Sequence, residues 1–135
     1  MTRSGILIPV IAALVWQAGA RAACADEVRH TAFPNALVGT WALSAQFCAA
    51  KDKSNIVITS AGYRAAGEDC AVNWIVETAG AAGPNYSVRA ACSDPSNPSA
   101  KRAENLIMRP QGADRLSVGA SFESQQPYQR CADGQ

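Results

Sequence analysis

Residues 70–92, CAVNWIVETAGAAGPNYSVRAAC, decide the fold. Two apolar runs, Cys70–Thr78 and Tyr86–Cys92, flank Ala79-Gly-Ala-Ala-Gly83, and each carries a cysteine at its outer end. Folding them as an antiparallel hairpin with Cys70 opposite Cys92 places Val72 opposite Ala90, Trp74 opposite Val88 and Val76 opposite Tyr86. All eight side chains then share one face, because side chains alternate with a period of two. The other face carries Asn73, Glu77, Ser87 and Arg89, which suit solvent. Directly opposed residues have Cα atoms about 4.5–5.5 Å apart, within reach of a disulfide. One register therefore satisfies the hydrophobic pattern and predicts a Cys70–Cys92 bridge.

The remaining cysteines are read from the start of the chain. Residues 1–25 read as a signal peptide: Arg3 supplies a positive n-region, Ile6 to Trp16 an apolar stretch, and two A-x-A sites come after it. Cleavage after Ala25 removes Cys24 and leaves an even set: Cys48, Cys70, Cys92 and Cys131. Cleavage after Ala22 is the alternative and leaves Cys24 as an odd thiol. Arg21 stands where a lipoprotein signal wants an aliphatic residue, which argues against lipidation. An even set of cysteines in a small exported chain reads as two disulfides. Elimination pairs Cys48 with Cys131, with the other two connectivities left open to peptide mapping. The expected location is periplasmic or secreted.

The expected mature chain, residues 26–135, is 110 residues long and fits a single domain. Removing Arg3 and Arg21 leaves ten basic residues against eleven acidic, so no basic face attracts nucleic acid. No second apolar run is long enough to span a bilayer. Short runs with period-two patterning and Gly, Pro and Asn punctuation recur after residue 37. They cover 38–44, 55–59, 63–65, 70–78, 86–92, 104–109, 115–120 and 127–131, with one helical turn near 45–51. Residues 26–37 read as a mobile entry segment that ends by docking Phe33 and Leu37. The expected fold is all-β: a small antiparallel barrel or curved sheet of about seven to eight strands with two disulfides.

Gly39-Thr40-Trp41 resembles the G-x-W signature of lipocalin-type barrels, in which the Trp packs across the barrel floor. The wider order of G-T-W, Cys48, I-V-I, C-A-V, Y-S-V-x-A-x-C and Y-x-R-C resembles small exported, cysteine-containing β proteins of proteobacteria, many without an assigned function. It is also distantly similar to periplasmic inhibitors of proteases or lysozymes built on eight-stranded barrels. A disulfide-stapled scaffold without a catalytic constellation leads to the expectation of a non-enzymatic, monomeric exported binding protein, an inhibitor with an envelope or host hydrolase as partner. A lipocalin-like carrier of a small apolar ligand and a structural envelope protein without ligand are the alternatives. Ser60-Ala61-Gly62-Tyr63 departs in spacing from the Ser-Gly-x-x-Tyr loop of one lysozyme-inhibitor family, so no inhibitory residue carries over.

The chemistry-bearing residues are sparse. His30 is the only histidine and lies in the entry segment, where it reads as solvated; a catalytic triad would have to recruit it. Metal binding needs several converging ligands, and neither a metal nor a cofactor is expected. Glu68-Asp69 reads as a charged turn. Trp41, Trp74, Ile58 and Val88 are the candidate lining of an apolar ligand cavity, with core packing as the competing reading. Arg130 is placed to lay its guanidinium over Trp41. The polar loop Ser93–Lys101 is a candidate recognition loop or a solvated connector.

Overall fold

The computed structural model describes residues 26–133; the expected signal peptide lies outside them. The strands are β1 (Glu27–His30), β2 (Gly39–Ala42), β3 (Ile56–Ile58), β4 (Gly62–Ala65), β5 (Glu68–Thr78), β6 (Asn85–Ser93), β7 (Arg102–Pro110), β8 (Arg115–Gly119) and β9 (Gln126–Arg130), with one helix, α1 (Ala45–Ala50). Strands β2 to β9 close into an eight-stranded antiparallel barrel through β5–β6 and β2–β9 pairing, and β1 is an extra strand. Closure leaves no free edge among those eight strands.

The β1 strand is a correction to the mobile entry segment. The eleven-residue β5 pairs β4 along Glu68–Ala71 and β1 along Ile75–Thr78. β4 is too short to cover the whole edge of β5, so the entry chain supplies the remaining ladder bonds. His30 is accordingly not a solvated side chain: its Nε2 lies 2.6 Å from Glu77 Oε2, and both are half-buried. Phe33 and Leu37 do dock, and both are buried.

The β5–β6 hairpin begins in the expected register, Cys70 opposite Cys92 and Val72 opposite Ala90. A β-bulge then shifts it at Asn73, so Trp74 faces Arg89, Ile75 faces Val88 and Glu77 faces Tyr86. The expected inward Trp74 is therefore wrong. It stands outside, 41% exposed, with the Arg89 guanidinium 5.3 Å from its ring, while Ile75 is wholly buried. The reason is volume. An eight-stranded barrel has room for its own side chains or for one small ligand, and Trp41, Tyr63, Tyr86 and Met108 already occupy the lower part of this one. A bulge admits one extra residue and re-aims the side chains beyond it, which exchanges a bulky indole for isoleucine.

The floor is closed by Trp41, whose Nε1 donates to the Leu37 carbonyl at 2.9 Å. Arg130 lies over the indole at 4.1 Å, the expected stack, and donates to the carbonyls of Ala36, Val38 and Ala113 at 2.6, 2.8 and 2.9 Å. Gly39 permits this, since a Cβ there would sit 2.7 Å from Arg130 Nη1, and its φ of +141° suits glycine. Helix α1 folds back on the outside of the barrel, where Cys48 and Cys131 pack with Ala42. Both expected disulfides form: Cys48–Cys131 ties α1 to the end of β9, and Cys70–Cys92 bridges β5 and β6 inside the wall.

Candidate functional site at the barrel mouth

At the end opposite Trp41 the strands carry an inner face that changes character. Along β7 the inward positions run Met108, Leu106, Glu104, Arg102, from apolar depth to charged rim. The sequence holds this signal as a period-two pattern continuing back to Arg102. A strand begun at Glu104 conceals it, because Arg102 then falls outside the strand. On β5, Glu68 is the first inward residue and Asp69 points outward to Arg64, at 2.6 Å. These two residues are the first rungs of a ladder, not the expected charged turn before Cys70.

The mouth encloses a cleft of about 420 Å³. Its floor is Ile56, Tyr63, the Cys70–Cys92 bridge, Leu106 and Val118, with Tyr128 at its side. At the lip, Arg102 donates to Glu68 Oε2 at 2.5 Å and to Glu104. Leu43 and Gln126 complete the rim. Three other clefts, of about 310, 280 and 610 Å³, lie under α1, beside the β5–β6 turn and over the outside of β3 to β5, and are lined mostly by outward-facing or loop residues.

Tyr63 links floor to lip. Its ring packs edge-on against Phe33 at 6.3 Å, and the residue is 5% exposed. Its hydroxyl has one hydrogen-bond contact, the Cys92 sulfur at 3.8 Å, a weak partner. Burial pushes the phenol well above its ordinary range, and the nearby Glu104 charge pushes it further up. It therefore stays a neutral hydroxyl at any physiological pH. Tyr128 is raised by burial too. Arg102 is raised by its bonds to Glu104 and Glu68.

The residues expected to line a cavity fall elsewhere. Trp41, Ile58 and Val88 are fully buried in the packed interior below the cleft and do not border it. Trp74 is on the outer wall. The loop 94–101 is exposed throughout and braced from within: Asp94 accepts from the Ser96 N–H and hydroxyl at 2.7 and 2.6 Å, and Ser99 Oγ donates to Asn97 at 3.1 Å.

No family model, curated protein or solved structure matches this chain. The mouth itself is thus the ground for a functional reading. Among the described residues there is no group of three or more metal-binding side chains, and no helix is long and apolar enough to cross a membrane. The two disulfides are compatible with an oxidising periplasmic or extracellular location.

Proposed function

We propose that this protein is a non-enzymatic, exported binding barrel that holds a small amphipathic molecule in its mouth. The observation that carries the reading is the 420 Å³ cleft with an apolar floor and a polar lip. Its size and its few converging polar groups are those of a ligand site. The resemblance of Gly39-Thr40-Trp41 to the lipocalin signature supports it, since an eight-stranded barrel of that type can hold one small ligand. The carrier differs from the one expected from sequence in where the ligand sits: above the packed layer of Trp41, Ile58 and Val88, not within it. The test is native mass spectrometry of protein purified from its own envelope. A co-purifying small molecule that is lost when Leu106 is replaced by Arg supports the proposal. An empty protein that binds no apolar dye, with a Leu106→Arg variant behaving identically, refutes it.

A second reading is a hydrolase inhibitor, and one observation favours it. The exposed loop 94–101 is held in shape by its own hydrogen bonds, and a preorganised loop binds a partner with less ordering cost. Titration of the protein against lysozymes and serine proteases tests it. Unchanged hydrolysis at a large molar excess removes this reading.

A further inference from the structure

We infer that the molecule held in the mouth carries a cationic head, a primary ammonium or a guanidinium, seated between Glu104, Glu68 and the Tyr63 hydroxyl. This inference rests on the binding-barrel reading and specifies the ligand class.

The charged side chains bordering the cleft are Glu68, Glu104 and Arg102. Two carboxylates against one guanidinium leave the lip with a net negative charge. Arg102 is engaged by both acids, so an anionic head would have to displace a carboxylate from it and then face the one it displaced. A cation meets the opposite case: it joins a cluster that already has one negative charge in excess, and each carboxylate retains acceptor capacity beyond its bond to Arg102.

The second observation is independent of the acids. Tyr63 is buried beneath the lip, and its hydroxyl has only the Cys92 sulfur for a partner. A buried hydroxyl is normally paired with a good donor or acceptor. Held neutral by its surroundings, the phenol oxygen accepts one N–H from a head group bonded also to Glu104. The apolar remainder of the ligand then lies on Ile56, Leu106 and Val118, the floor of the same cleft. Charge-assisted bonds of this kind strengthen as water is excluded.

The experiment compares three probes that share one tail, n-octylammonium, n-octanol and n-octanoate, by calorimetric titration and backbone amide NMR on the disulfide-bonded protein. Octylammonium should bind at least about tenfold more tightly than octanol, as one charge-assisted hydrogen bond implies. Octanoate should bind more weakly than octanol, and the shifts should fall on Tyr63, Leu106 and Val118. Glu104→Gln should bring octylammonium to the level of octanol. Arg102→Gln should act in the opposite direction and tighten octylammonium, an outcome that misfolding does not mimic. Octanoate binding as well as octylammonium, or a preference unmoved by Glu104→Gln, overturns the inference and leaves the cleft as a ligand site. Failure of all three probes to bind overturns the cleft as a ligand site together with the inference.

Discussion

Arg130 and Gly39 should prove to be one energetic unit. Arg130 donates to three main-chain carbonyls, of Ala36, Val38 and Ala113, and covers Trp41 at 4.1 Å. Each hydrogen bond is worth about 1 kcal/mol net, and the stack about 1 kcal/mol. Contacts made by one side chain are not independent, and two of the three bonds lie at the surface. Arg130→Met should therefore cost about 3 kcal/mol, a large fraction of the total stability of a domain this size. The midpoint of thermal unfolding should fall by roughly 12 °C. Gly39→Ala should be nearly as costly alone, because its Cβ would stand 2.7 Å from Arg130 Nη1 at a φ of +141°. In the Arg130→Met background only the backbone strain remains, about 1 kcal/mol. The double variant should then be more stable than the sum of the singles by about 2 kcal/mol, the coupling expected of residues in contact. Guanidinium unfolding of all four proteins, followed by circular dichroism under oxidising conditions, measures the cycle. Additive losses, or an Arg130→Met cost below about 1 kcal/mol, the worth of a single hydrogen bond, refute the reasoning.

Excision of Asn73 should be tolerated, with a loss below about 2 kcal/mol and both disulfides formed. Val72 would then precede Trp74 and Ile75 in unbroken alternation; collapse of the variant on proteolysis would contradict the bulge. In the chain from Asp26 onward, iodide should quench Trp74 and spare Trp41, which is 1% exposed, so Trp74→Phe should abolish the quenchable emission. Replacing Cys48 and Cys131 by Ala should cost about 4.5 kcal/mol in the chain-entropy picture, against about 3.5 kcal/mol for Cys70 and Cys92, because the first bridge closes the longer loop, 83 against 22 residues; denaturant titration of the two variants should rank them in that order. Tyr63, Tyr86 and Tyr128 are all raised by burial. The folded state holds those phenol protons more tightly than the unfolded chain, so their contribution is whole below pH about 10 and is lost as the pH climbs beyond it. Tyr63→Phe should flatten that alkaline decline in melting temperature; an identical decline would remove Tyr63 from the account.

Most of the barrel was legible because period-two patterning is local. Eight of the nine strands and the short helix can be read from residues a few positions apart, the Cys70–Cys92 bridge from the register of one hairpin, the Cys48–Cys131 bridge by elimination, and the Arg130–Trp41 stack from two motifs at opposite ends of the domain. β1 was not legible: Glu-Val-Arg-His carries no apolar alternation, and it forms a strand only because the later half of β5 offers unpaired backbone groups. The mouth was half visible, since Arg102 and Glu104 continue the inward phase of Leu106 and Met108, but their meeting with Glu68 depends on barrel closure.

By itself, the sequence determined an antiparallel wall of alternating strands, the Cys70–Cys92 staple and the stacked floor, because alternation, cysteine register and the Gly39-Thr40-Trp41 motif act over neighbouring residues or directly paired strands. Closure of that wall into a barrel came from the tertiary structure. Only the tertiary structure decided which way Trp74 faces and where a ligand has room. Both depend on interior volume, which no single strand encodes. Four large side chains fill the lower barrel, so the bulge at Asn73 turns the indole outward, and the space that remains lies above them, between Tyr63 and the charged lip.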